Sequence, residues 1–209
     1  MTEHIDPRLK TKGNFEVEKK FVLTKEQEEK LLQGAEFLGE KKFADTYYDD
    51  AAWSLTTKDI WLRDREGRFE LKVPMNVAIE ERVTDRYQEL ETDKEIAKFL
   101  QLPENTPLAD ALKEKGYAPF VMIATSRRKY KKDGYGIDLD EADFGYSVAE
   151  IEYMAEDGSK MQEATDKLIA YAASQGIAND DVVRGKVAEY LRRNDPTHFQ
   201  ALIDAEVII

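Results

Sequence analysis

The 209-residue sequence predicts a single α+β domain built around an antiparallel sheet or barrel of about eight strands, with helices on its periphery. Three observations carry this. Period-two alternation of apolar and charged residues recurs in segment after segment, short turn signals join most of them, and helix-capping patterns fall between and after them. No internal repeat, low-complexity run or interdomain linker interrupts the chain.

Residues 1–13 are polar and unpatterned and read as a flexible leader, with one domain from 14 to 209. Phe15, Val17 and Phe21 alternate with Glu16, Glu18 and Lys20, the period of a strand. Thr24 with Gln27 reads as a capping box that opens a helix through Leu31, Leu32 and Ala35 and closes near Gly39. A second strand is expected over 42–49, then strands at 60–65, 68–74 and 80–91, the first two of these joined at Glu66-Gly67. Thr92 with Glu95 caps a short helix to about Leu100. Thr106-Pro107 opens another that Gly116 ends. A long strand follows from Tyr117 to Lys131, turned back at Asp133-Gly134 into strands at 135–142 and 146–154. Ser159 with Gln162 suggests a further capping box, for a helix that Gly176 closes. Helices over 182–193 and from Asp195-Pro196 onward complete the chain.

Composition narrows the chemistry. A net charge of −12 argues against a nucleic-acid surface, which needs an excess of Lys and Arg. With no cysteine, disulfides, thiolate metal sites and cysteine nucleophiles are excluded. The two histidines, His4 and His198, lie near the termini, which disfavours a histidine-centred triad or metal site. No long apolar run and no signal-peptide pattern is present, so a cytoplasmic protein without a membrane partner is expected.

The informative feature is where the charges sit. Residues two apart on a strand share a face, so Glu16, Glu18 and Lys20 do, as do Arg63 and Arg65, Glu70 and Lys72, Glu89 and Glu91, Asp138 and Asp140, and Glu150 and Glu152. The opposite faces carry Val17, Leu62, Leu71, Leu90, Leu139 and Ile151. One reading is an ordinary sheet with its charged face in water. The other turns the charged faces inward around a channel, because like charges at i and i+2 repel and there are helices enough to cover the apolar faces. Sign-segregated charges in such a lumen suit a metal-bound polyanion: carboxylates for Mg²⁺ or Mn²⁺, Arg and Lys for phosphate oxygens. There is no Walker-type loop, so side chains would have to hold the phosphates. Asp143-Phe144-Gly145 matches a kinase tripeptide, but without a Gly-rich loop or catalytic-loop signature it reads as a turn. Tyr47 and Tyr48 read as packing residues.

The same residues carry a family resemblance. Phe-Glu-Val-Glu-Lys-Lys-Phe at 15–21 resembles the Glu-x-Glu-x-Lys signature of the CYTH superfamily, the triphosphate tunnel metalloenzymes. Asp-Thr-Tyr-Tyr-Asp at 45–49, Trp-Leu-Arg-Asp-Arg at 61–65, Glu-Leu-Lys-Val-Pro at 70–74 and Tyr-Gln-Glu-Leu at 87–90 follow in order. The segments 137–152 and 185–191 extend the likeness, which covers about residues 14–204. Within the superfamily it is greatest to the thiamine triphosphatase branch. The resemblance implies a closed eight-stranded β-barrel with a polar tunnel and metal-dependent hydrolysis of a triphosphate, acting as a monomer. Thiamine triphosphate is the implied substrate; inorganic triphosphate, a nucleoside triphosphate, cyclisation of ATP or non-catalytic triphosphate binding are the alternatives. It further implies Glu16, Glu18, Asp138, Glu150 and Glu152 as metal positions. Lys20, Arg63, Arg65, Lys72, Arg127 and Lys186 are implied as triphosphate positions, with Lys20, Arg65 and Lys72 the most directly catalytic. Trp61 is implied against the thiamine moiety and Glu89 near its cationic ring. Parity alone leaves open whether Arg127 or Arg128 faces inward, and the general base is not assigned.

Overall fold

A computed structural model describes residues 12–75, 84–103, 105–177 and 183–208. Eight strands close into a barrel in the order β1-β5-β4-β3-β2-β6-β7-β8, every neighbouring pair antiparallel. They are β1 (Lys12–Phe21), β2 (Glu36–Asp49), β3 (Trp61–Arg65), β4 (Arg68–Pro74), β5 (Asp85–Leu90), β6 (Ala118–Lys132), β7 (Tyr135–Ala142) and β8 (Tyr146–Asp157). The helices are α1 (Lys25–Leu32), α2 (Asp93–Phe99), α3 (Leu108–Lys115), α4 (Met161–Ser174), α5 (Lys186–Asn194) and α6 (Pro196–Asp204). No helix among the described residues is long and apolar enough to cross a membrane.

The turns follow their chemistry. Glu66-Gly67 and Asp133-Gly134 both have positive φ at each position (55° and 84°, 51° and 87°), as two-residue hairpins require. Gly145 (φ 75°) closes the turn after Phe144, its N–H donating to the Ala142 carbonyl at 3.0 Å. Both halves of the Thr24–Gln27 capping box form. Pro196 starts α6 behind Asp195, whose carboxylate accepts the His198 N–H at 3.1 Å.

Several boundaries differ from the sequence expectation. α1 stops at Leu32, and β2 already begins at Glu36, pairing with Lys131 at the far end of β6. Gly39 does not end a helix. It sits at a register shift in β2 with φ 130°, a conformation a side chain would strain. The second capping box does not form: the Ser159 N–H donates to Asp157 at 2.9 Å, and the Gln162 side chain bonds Asp166 at 2.8 Å, so Lys160 is an uncapped N-cap. The expected leader lies outside the described residues up to residue 11, while Lys12 and Gly13 are already in β1. Residues 80–83 of the expected 80–91 strand, and residue 182 of the expected 182–193 helix, are likewise outside them, and that helix begins only at Lys186, behind Gly185.

The barrel is apolar outside and charged inside. Val17, Leu139 and Ile151 point outward into a core completed by Leu31 of α1 and Leu168 of α4. Leu62, Leu71 and Leu90 point outward against Ile96 of α2 and Leu112 of α3. Each such buried side chain contributes roughly 1.5–3 kcal/mol, and this leaves the charged alternates facing the lumen. The third cluster is different. Val121 and Ile123 stand in register with Tyr47 and Asp45, and Val187 and Leu191 of α5 pack on them with Leu202 of α6. α5 and α6 therefore cover part of the tunnel-facing side of β2 and β6.

Candidate active site

The lumen holds a cavity of about 650 Å³. Its wall includes Glu16, Glu18, Lys20, Trp61, Arg63, Arg65, Lys72, Glu89, Arg127, Glu150, Glu152 and Lys186, so every residue to which the resemblance gave a metal or substrate role, except Asp138, lies on it. Asp138 is fully buried just behind, paired with Arg127 and with Lys129 (3.3 Å). The choice between the adjacent arginines is settled. Arg127 points into the tunnel, and Arg128 points out to Glu28 of α1 at 3.0 Å.

The cross-strand register sets the geometry. Lys72 stands opposite Trp61 on one side and Glu89 on the other. Its Nζ binds Glu16 and lies 3.3 Å from Glu89 and 3.6 Å from Glu18. Lys20 binds Glu18 and reaches Asp85 at 2.6 Å. Arg63 takes Glu70 at 2.6 Å. Arg65 forms a fork on Asp45, Nε and Nη2 donating at 2.6 and 2.7 Å. Arg127 forks onto Asp140 with two bonds of 2.6 Å and also donates to Glu150 at 2.8 Å. Lys186, the first residue of α5, is brought in by the helix to bind Asp140, 3.6 Å from Glu150. Gly136 permits close approach on β7, since a Cβ there would meet the Glu152 carboxylate at 2.6 Å.

The charges are interleaved rather than segregated by sign. Like charges do alternate along single strands, but the facing strands supply the opposite sign: Lys20 pairs in register with Glu150, Arg127 with Asp140, and Lys72 with Glu89. Each base is thereby neutralised at short range, which offsets the cost of burying it.

The proton affinities follow from this packing. Burial pushes the Glu16 carboxyl up to about 8, aided by Glu18 and Glu89 and opposed by Lys72. Burial also raises Asp138, to about 6, against Arg127. Glu150 goes the other way: burial alone would raise it, but Lys186, Arg127 and Lys20 hold it well below the usual carboxylate range. Lys20 and Lys72 are desolvated, yet Asp85 and Glu18 raise the first, and Glu16 and Glu18 the second, well above the ordinary lysine value. Both remain ammonium ions at neutral pH. Short-range carboxylate partners therefore favour the charged form of each lysine.

The donor chemistry fits an oxygen-ligated divalent ion: Glu16, Glu18, Glu150 and Glu152 line one cavity, and the buried Asp138 Oδ1 has no hydrogen-bond partner. Among the described residues no three carboxylates already converge as a ligand group, because each is drawn to a lysine or arginine.

With this geometry in view, the comparisons with known proteins are direct. The CYTH domain pattern matches residues 14–185. The chain belongs to the CYTH family. It is 30% identical to the thiamine-triphosphatase of Homo sapiens, over 92% of this chain and 90% of that protein. Its fold is that of PH1819 from Pyrococcus horikoshii OT3 (TM-score 0.58, 22% identity, 86% of this chain and 99% of that one). HpAC1 from Hippeastrum, which has a dominant triphosphatase activity, also shares the fold (TM-score 0.56, 14% identity, 86% and 96%).

Several members of this CYTH site escaped the sequence reading. Tyr47, set aside as packing, lines the cavity. Asp45, Asp85, Tyr87 and Lys129 complete the charge network or wall. The i, i+2 rule would have placed Asp45 with Tyr47 on one face, but only the β2–β3 register shows that this face meets Arg63 and Arg65.

Proposed function

We propose that this CYTH protein is a metal-dependent triphosphatase that hydrolyses thiamine triphosphate to thiamine diphosphate and phosphate inside the barrel. The observation that carries this reading is the cavity itself. Lys20, Arg63, Arg65, Lys72, Arg127 and Lys186 converge on one cavity whose wall also includes Trp61, Tyr87 and Glu89. The likeness to the human thiamine-triphosphatase supports the substrate.

Phosphoryl transfer needs positioning and charge neutralisation more than covalent chemistry. The arginines and lysines bind the phosphate oxygens, and as fixed, desolvated cations they stabilise the charge that develops in the transition state. A polyanion competes with the carboxylates for those cations. The acids it displaces, Glu16, Glu18, Glu150 and Glu152 with Asp138 behind them, would hold Mg²⁺ or Mn²⁺. Held by these acids, such an ion would supply further neutralisation of phosphate oxygens and would acidify water. Trp61 offers an aromatic face, and Glu89 a carboxylate, to a cationic ring.

A phosphate-release panel tests the proposal, with thiamine triphosphate, inorganic triphosphate and ATP each assayed with Mg²⁺, with Mn²⁺ and with chelator. Highest kcat/KM on thiamine triphosphate, abolished by chelator, is expected. A preference for inorganic triphosphate or ATP would reassign the substrate, and tight binding without phosphate release would make the chain a binding module.

A further inference from the structure

One carboxylate oxygen ties two aromatic walls of the cavity together. Asp59 Oδ1 accepts from the Trp61 indole Nε1–H at 2.8 Å and from the Tyr87 hydroxyl at 2.9 Å. Asp59 is 5% exposed, lines the cavity, and comes from the loop before β3, outside every strand. We propose that Asp59 is a positioning residue that sets selectivity. By fixing the indole and the phenol relative to each other, it shapes the subsite for the non-phosphate part of the substrate, a flat organic cation. This rests on the reading that the cavity takes an organic triphosphate.

The loop is built to deliver that oxygen. Leu55–Asp59 forms a tight turn, with Lys58 N–H on the Leu55 carbonyl (2.8 Å) and Asp59 N–H on the Thr56 carbonyl (3.0 Å). The buried Asp49 carboxylate takes the Leu55 and Thr56 N–H groups at 3.0 and 2.8 Å. Thr56 also meets His198 of α6, its Oγ1 2.8 Å from Nε2. Asp59 itself is left-handed (φ 60°, ψ 24°), a conformation that Asp, Asn and Gly adopt readily. Its side chain is thus placed by backbone geometry, so that one oxygen accepts both bonds.

The consequence reaches both parts of the ligand. Trp61 and Tyr87 present aromatic surface, which attracts a cationic ring. Lys72 stands opposite Trp61 in the β3–β4 register, and its Nζ lies 5.6 Å above the Tyr87 ring. The organic subsite therefore abuts a phosphate-binding cation, and fixing the two rings fixes the distance a ligand must span.

The test compares Asp59→Asn, which keeps an acceptor oxygen, with Asp59→Gly, which removes it without straining the left-handed backbone. KM and kcat are measured on thiamine triphosphate and on inorganic triphosphate. In Asp59→Gly, KM for thiamine triphosphate is expected to rise about tenfold with kcat within about twofold, the size of losing a hydrogen bond. Asp59→Asn should stay near wild type, and the inorganic triphosphate KM should move less than the organic one. Should Asp59→Gly fail to fold, Tyr87→Phe keeps the ring and removes one tie, and a smaller rise in the same KM is expected. Equal losses on both substrates, a loss in kcat alone, an Asn variant as impaired as the Gly variant, or no change in any variant would each overturn the inference. A wild type with no preference for thiamine triphosphate overturns the substrate reading as well, and it does so before any variant is made.

Discussion

Arg65 and Asp45 meet in a two-bond fork, Nε to Oδ1 at 2.6 Å and Nη2 to Oδ2 at 2.7 Å, directly across the β2–β3 register. The same Asp45 carboxylate lies 3.5 Å from Arg63 and is 1% exposed. One buried acid thus aims two tunnel cations. Asp45→Asn should lower kcat/KM for the triphosphate by about tenfold by loosening both guanidinium groups. Steady-state kinetics beside a thermal melt checks this; wild-type kinetics in a folded variant would dismiss the aiming role.

Lys72→Ala and Arg65→Ala should each cut turnover by about 10²-fold or more, the usual loss for one charge-stabilising donor. In Lys72→Ala, Glu16 loses its closest cation while burial still opposes its charge, so its proton affinity should rise further and the barrel should remain folded. Circular dichroism and phosphate release together read both outcomes. Near-normal activity in both variants would count against the triphosphatase proposal.

Arg127→Ala and Arg128→Ala provide an internal control one residue apart. Arg127 is bound to Asp138, Asp140 and Glu150 in the tunnel, and its loss should abolish activity. Arg128 makes a partly exposed pair with Glu28, which is worth about 0–1 kcal/mol, and its loss should leave kcat/KM within about twofold. If the two variants behave alike, the inward assignment of Arg127 is wrong.

Ligand should stabilise the barrel. The proposed polyanion and divalent ion bind only the folded arrangement of tunnel charges, so Mg²⁺ with triphosphate should raise the melting temperature, by about 2.7 kcal/mol of stability at a hundredfold excess over Kd. Differential scanning fluorimetry measures the shift; an unchanged midpoint at saturating ligand would argue against an enclosed site.

Acid should loosen the clasp between α6 and the loop before β3. His198 is fully buried, stacked 4.6 Å from Trp53, with its Nδ1 unpartnered. Burial lowers its proton affinity below the ordinary 6.5, against the nearby Asp49 and Asp195 carboxylates. The folded state therefore binds fewer protons than the unfolded one, and this residue's share of stability declines as pH falls below about 6.5. Denaturant melts of wild type and His198→Gln between pH 5 and pH 8 would show it: the difference between the two curves should narrow toward acid, and parallel curves would refute the idea.

Much of this molecule was readable from local rules, because those rules act over two to four residues. Strand parity separated Glu16, Glu18 and Lys20 from Val17, and the turns at Glu66-Gly67 and Asp133-Gly134 followed from the positive φ they demand. The Thr24 capping box did too, and so did the set of charges that would share a lumen. What parity could not supply was a partner. Whether Arg127 or Arg128 faces inward depends on which face of β6 the closed barrel encloses, and helix α1 supplies Glu28 only on the outside. Asp45, Asp85 and Tyr87 become site residues through the register of strands distant in sequence. Asp59 joins them only because a left-handed residue in a loop points its carboxylate at two side chains. The sequence by itself determined which side chains carry charge and which of them share a strand face. Tertiary structure alone decided how those charges pair, since Coulombic and hydrogen-bond partners are set by distance across strands, which a local pattern does not contain.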